Sequence, residues 1–162
     1  MKKLVYSVLL SVVLTLCFPT TSLAETKTIL YCPDEYIQIC DEMQDKYGVS
    51  SCLLIALIQC ESACKPNVVS KAGCCGLMQI NPENCEGGAD IFDPYYNIER
   101  GTQILLEFSE MCEGDLYTTI MLYNGYGNTA LRWYNNGQFD KMRYASKVLN
   151  MARDIELERY GY

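Results

Sequence analysis

The chain carries 20 carboxylate side chains and no histidine, and this limits the chemistry open to it. Without histidine there is no Ser-His-Asp or Cys-His nucleophile system and no imidazole-bound metal, so acid–base work falls to the carboxylates. Glu61 is the one best placed for it. It follows residues 53–58, a run so uniformly apolar that the helix it predicts must be buried on most sides. Ser50 or Ser51 caps the start of that helix, and Pro66 forces Lys65 out of helical geometry and so ends it. Glu61 then falls in or just past the last turn. The negative end of the helix dipole disfavours an ionised carboxylate there, and an apolar wall disfavours it further by desolvation. A Glu held in this way keeps its proton longer than a free one, as a general acid must. For an isolated Glu the plainer reading is a helix end pointing into water.

The residues around Glu61 argue against that plainer reading. Glu61-Ser62 is followed by Pro66, by Ser70 nine residues past the Glu, by Gly73, by Gly76-Leu77-Met78-Gln79, and by Ile80 and Pro82. The segment resembles, without a gap, the catalytic motif of the lytic transglycosylases with a goose-lysozyme-like fold. Agreement at so many positions is far more specific than a lone short motif. Further on, Leu122-Tyr123-Asn124-Gly125 resembles the Ala-Tyr-Asn-Ala-Gly motif of the same family, and Trp133 stands ten residues past Tyr123, where that family often has its Trp. Gly125, Tyr126 and Gly127 depart from the pattern, so the turn after Tyr123 is expected to differ.

The resemblance spans roughly residues 34–149 and implies roles residue by residue. Glu61 is the catalytic residue, Ser70 and Tyr123 hydrogen-bond near its carboxyl, Gln79 contacts sugar, and Asn124 belongs to the substrate site. Asp140 matches an acidic residue the family often has four positions before a Tyr-x-x-x-Val-Leu pattern, here Tyr144, Val148 and Leu149. A helix N-cap explains Asp140 equally well.

The elements that must position these residues read as helices throughout. Pro33 opens a first helix with Tyr36, Cys40, Met43 and Tyr47 on one face, and Gly48 ends it. The Glu61 helix is the second. Residues 67–93 are turn-rich, with about one helical turn over residues 77–80, and form one wall of a cleft. Asp93-Pro94 starts a helix carrying Ile98, Ile104, Leu105, Phe108 and Met111. Asp115 caps the next, which ends near Asn124 and Gly125. Residues 128–135 make a short helix closed by Gly137, and Asp140 starts the last, with Tyr144, Val148, Met151, Ala152 and Ile155 on one face. With no convincing period-two run, the fold class is all-α. The resemblance makes it a goose-type lysozyme-like helical domain.

Residues 1–24 read as a secretory signal peptide: Lys2-Lys3, an apolar run too short to span a membrane, and a small-residue cleavage site after Ala24. Residues 25–33 read as a mobile leader and 34–162 as a single domain. Loss of Lys2 and Lys3 takes the formal net charge from −7 to −9. An acidic chain without a basic run argues against nucleic acid and anionic membranes as partners. Nine of the ten Cys lie after Ala24, at positions 32, 40, 52, 60, 64, 74, 75, 85 and 112. Outside the cell they are expected to be largely disulfide-bonded. Cys64 pairs by weak preference with Cys74 or Cys75, and the odd thiol offers a route to a dimer. Their spacing does not suit a zinc site, and no metal or cofactor is called for.

Glycoside cleavage usually takes two carboxylates, and the sequence offers one strong candidate. Asp90 and Asp93 are the nearest others, and Asp93 is better explained as a cap. The resemblance supplies a mechanism that needs one. Glu61 protonates the glycosidic oxygen of peptidoglycan, the N-acetyl group of the substrate assists, and Glu61 then takes the proton of the sugar's own 6-hydroxyl. The product is a 1,6-anhydromuramic end. The alternatives are a hydrolytic muramidase on the same fold, a non-catalytic peptidoglycan-binding protein, and a Cys-rich structural module.

Overall fold

A computed structural model of the chain describes residues 32–85 and 87–161; the signal segment and nearly all of the leader lie outside them. The described residues form six α-helices: α1 (Asp34–Tyr47), α2 (Ser51–Ser62), α3 (Pro94–Met111), α4 (Leu116–Tyr123), α5 (Asn128–Asn135) and α6 (Arg143–Tyr160). Short 3-10 turns at Pro82–Asn84 and Phe139–Lys141 complete them, and the all-α class stands. No helix among the described residues is long and apolar enough to cross a membrane.

Helix α2 is the axis of the core. Leu54 and residues 56–58 are fully buried, as a helix apolar on every side requires. The Ser50 hydroxyl accepts from the Leu53 N–H at 3.4 Å to cap it, and Ala63 ends it in a left-handed conformation. It packs most extensively on α6 and also on α1. Helix α1 lies between Pro33 and Gly48, with Tyr36, Ile39, Cys40 and Met43 buried. Asp93 caps α3 through the Tyr96 N–H at 2.8 Å, and Asp115 caps α4 through the Thr118 N–H at 2.7 Å.

Three expectations are corrected. Residues 77–80 are not a helical turn. Gly76 and Gln79 sit at φ +80° and +50°, and bridges pair Cys75 with both Val69 and Ile80, so the segment folds back on itself. Met111 is largely exposed at the end of α3, off its buried face. Asp140 does not start the last helix; it lies in the preceding 3-10 turn, and Met142 holds the N-cap position of α6 without a side-chain cap.

The turn-rich wall is held to α3 by one buried side chain. Asn97, fully buried, accepts from the Met78 N–H at 2.7 Å and donates to the Cys75 and Ile91 carbonyls at 3.2 and 2.7 Å. Gly76 packs so closely there that an added Cβ would stand 2.2 Å from Asn97 Nδ2. The backbone of α3 approaches Met78 as closely at Gly101, where a Cβ would meet the sulfur at 2.7 Å.

Candidate active site

Glu61 occupies the last turn of α2, half-buried, where the ends of α2 and α4 meet the first turns of α6. The Tyr144 hydroxyl, two residues into α6, donates to Glu61 Oε1. The Asn124 side chain, from the residue ending α4, acts on the same carboxyl and favours its anion. Burial raises the Glu61 carboxyl above its ordinary range; the Tyr144 and Asn124 hydrogen bonds and the Lys147 charge oppose that rise without cancelling it.

Tyr123 joins the site to the loop wall. Its hydroxyl donates to the Met78 carbonyl at 2.9 Å, and its ring meets Phe108 edge-on at 6.5 Å. Burial raises its pKa, and the negative charge of Glu61 adds to the rise. A partly buried neutral phenol is therefore fixed near the carboxyl. Burial and Glu61 act on Tyr144 in the same direction.

The remaining predicted site residues fall into two groups. Ser70 and Gln79 shape the wall. The Ser70 hydroxyl accepts from the Cys74 N–H at 3.1 Å, which leaves its own proton to donate. The Gln79 amide donates to the Val68 and Gly76 carbonyls at 3.2 and 2.9 Å. Asp140 stands apart: it is exposed, and among the described residues no contact joins it to Glu61. Ser62 turns away from the site and donates to the Ile58 carbonyl at 3.1 Å inside the core.

Asp90 and Asp93, the nearest candidates for a second carboxylate, are engaged with backbone. Asp90 accepts from the Phe92 N–H at 2.9 Å, and Asp93 caps α3. Among the described residues no group of three or more Cys, Asp or Glu side chains is arranged to hold a metal ion. A cavity of about 240 Å³ between α1, α2 and α6 is lined by Cys32, Ile37, Ile55, Ile155 and Arg159 and by none of the site residues.

Two site residues were not assigned from the sequence. Tyr144 was only a position in the Tyr-x-x-x-Val-Leu pattern, yet it makes the direct bond to Glu61. Lys147 lies one helical turn beyond it, exposed, with its charge acting on both Glu61 and Cys60. The three-residue spacing from Tyr144 puts Lys147 on the same helix face and is the signal that was available for it.

A family model described as the transglycosylase SLT domain matches residues 38–148. Among solved structures the chain is similar to a complex of the 70-kDa soluble lytic transglycosylase with bulgecin A. The TM-score is 0.68 at 20% identity, covering 79% of this chain and 25% of that one. It is similar also to the 70-kDa soluble lytic transglycosylase of Escherichia coli, with a TM-score of 0.68 at 21% identity and the same coverage. The chain spans about a quarter of the length of these structures. The likeness is one of fold, and it agrees with the lysozyme-like class read from the sequence.

Proposed function

The chain belongs to the transglycosylase SLT domain family, and on that premise we propose that it is a secreted peptidoglycan lytic transglycosylase with Glu61 as its single acid and base. The substrate is the β-1,4 bond between N-acetylmuramic acid and N-acetylglucosamine. The observation that carries the reading is the setting of Glu61: half-buried, with its carboxyl pKa raised by burial, bonded by the Tyr144 hydroxyl, and with Asn124 favouring its anion.

That setting suits both halves of the reaction. Burial favours the neutral acid, which protonates the glycosidic oxygen as the bond to C1 breaks. The N-acetyl oxygen of the substrate then covers C1. Tyr144 and Asn124 stabilise the carboxylate left behind, so it persists until it takes the proton of the 6-hydroxyl. That oxygen attacks C1, displaces the N-acetyl oxygen from it and closes the 1,6-anhydro ring. The nucleophile is tethered to the reacting sugar, and tethering supplies up to about 7–11 kcal/mol of a barrier when the geometry is right. A water would need a group to activate it, whereas the exposed Asp90 and Asp93 each accept a backbone N–H, in a turn and at a helix cap. Tyr123 carries the hydroxyl of the family pattern, and the Ser70 and Gln79 wall and the exposed Tyr126 ring face the glycan. Asp140 contributes at most to an outer part of the cleft.

The test is the chemistry of the new chain ends. Digestion of peptidoglycan in ¹⁸O-labelled water should give muropeptides with unlabelled 1,6-anhydro-N-acetylmuramic ends, each lighter by one water than a hydrolytic product. Reducing ends carrying ¹⁸O would make the protein a muramidase.

A further inference from the structure

Helix α5 ends in a way that brings a ring back onto its own last turn. Gly137 sits at φ +65°, its N–H donates to the Tyr134 carbonyl at 2.9 Å, and the Gln138 N–H donates to the Trp133 carbonyl at 2.8 Å. This left-handed closure reverses the chain. Phe139, in the 3-10 turn that follows, meets Tyr134 edge-on with ring centroids 5.8 Å apart. Tyr117, in the first turn of α4, meets the same Phe139 ring edge-on at 6.4 Å. Three elements thus hold three rings together, and the packing does not hide them. Tyr117, Tyr134 and Phe139 are 37%, 38% and 50% exposed. A single exposed aromatic needs no explanation, but a contiguous group does. Tyr123 closes the other end of α4, about 9 Å away by helix rise, so the rings lie beyond the candidate active site.

We propose that Tyr117, Tyr134 and Phe139 form a second glycan-binding surface, outside the cleft, that stacks on the N-acetylated sugar rings of a peptidoglycan strand and holds the protein on the wall. The proposal rests on the peptidoglycan reading above. The stem peptides of the wall carry carboxylates, and this chain has a formal net charge of −7, so long-range charge does not draw the two together. Retention has to come from uncharged contacts, and the apolar face of a pyranose ring against an aromatic face is one. The surround suits a sugar as well. Asn135, Asn136 and Asp140 are exposed between and beside the rings in sequence, and they offer amide donors and carboxylate acceptors to ring hydroxyls and N-acetyl groups. A stable protein interface buries about 800 Å² per partner. Three rings, each half exposed or less, present far less apolar surface than that.

The test labels the full chain with 4-fluorophenylalanine, which puts a ¹⁹F reporter at each of its four Phe residues. The probe is the soluble β-1,4 tetramer of N-acetylglucosamine. Phe139→Leu and Phe108→Leu assign two of the signals by their loss. Phe108 lies edge-on against Tyr123 and reports the active site. A saturable shift of the Phe139 signal with the tetramer is expected. In a second measurement, Glu61→Gln is bound to insoluble peptidoglycan. Adding Phe139→Leu should weaken its retention on the order of tenfold, and Phe139→Tyr in place of Leu should restore it, because Leu keeps apolar bulk without a ring face. A Phe139 signal that stays in place overturns the proposal, whether or not the Phe108 signal moves. So does one that moves with protein concentration rather than with the tetramer, which would assign the rings to a second copy, and so does unchanged retention of the Leu variant. A Phe139 shift without a Phe108 shift supports the surface and counts against the reading of the cleft, so the two fail separately.

Discussion

Glu61 is pulled in two directions, and its neighbours decide how each shows. Burial raises its pKa, while Tyr144 and Asn124 hold the anion. Glu61→Gln should lower peptidoglycan cleavage by at least about 10²–10⁴-fold, because one group serves both proton transfers; purified variant and wild type compared by zymography check this. The same substitution should stabilise the fold at neutral pH. The folded chain keeps the Glu61 proton over a pH window in which the unfolded chain has already lost it, so wild-type stability falls as pH rises through that window. Gln cannot ionise and still accepts from Tyr144. The thermal midpoint of Glu61→Gln should therefore exceed that of wild type at pH 7, and the two should converge below the ordinary carboxylate range. Tyr144→Phe removes a donor that favours the anion. The Glu61 pKa should rise further, and the loss of activity on the alkaline side of the pH–rate profile should move to higher pH. A maximal rate about tenfold lower is expected, because the carboxylate left after the first step is less stable. An unshifted alkaline limb would mean that Tyr144 does not act on the titrating group.

The cleft wall depends on what one residue of α3 does for a loop with little structure of its own. Asn97→Ala would strand the buried Met78 N–H and the part-buried Ile91 carbonyl, while the Cys75 carbonyl keeps the Ile80 N–H. Each stranded group costs about 1–3 kcal/mol, so a loss of roughly 2 kcal/mol or more is expected in urea unfolding. Gly76→Ala should be comparably severe, because it combines a left-handed φ with a clash on the buried Asn97 side-chain amide. A loss under about 1 kcal/mol for Asn97→Ala would mean that the loop is held elsewhere. The sequence made the helices legible because their signals are local: Asp93-Pro94, Asp115 and Gly48 stand at boundaries that hydrogen bonding and φ alone can set. It made Glu61, Tyr123 and the loop motif legible because those residues keep a fixed register. Asn97 was not legible, since a polar residue in the first turns of a helix reads as surface until the loop it serves is folded over it. Asp140 misled for a related reason. An acidic residue ahead of an apolar helix is a good cap signal, but here a 3-10 turn intervenes and moves the cap position two residues on.

Across the whole molecule, α2 and α6 lie together over their length, and the two ends of the pair do different work. At one end Tyr144 of α6 meets Glu61 of α2. At the other, Arg159 Nη2 of α6 donates to both Asp41 carboxylate oxygens of α1, at 3.0 and 2.8 Å, and Nη1 donates to the Ser51 hydroxyl in the first turn of α2 at 2.8 Å. The clamp holds three helices at the end away from the chemistry. Burial pushes the Asp41 carboxyl up, and the Arg159 and Ser51 hydrogen bonds and the Arg159 charge outweigh it, so the net shift is downward. Asp41 is partly open to solvent, which keeps the ion pair near the surface scale of about 1 kcal/mol or less. Arg159→Ala should therefore lower the thermal midpoint by only a few degrees at pH 7. Because the folded Asp41 pKa is depressed, its share of stability is present above the unfolded carboxylate range and is lost as pH falls through the folded value. The gap between Arg159→Ala and wild type should accordingly narrow on acidification, while the pH–rate profile of the folded variant keeps the wild-type alkaline limb. A variant whose alkaline limb moved with its midpoint would show that the clamp reaches Glu61 through the length of α6, and that the two ends of the helix pair are not independent.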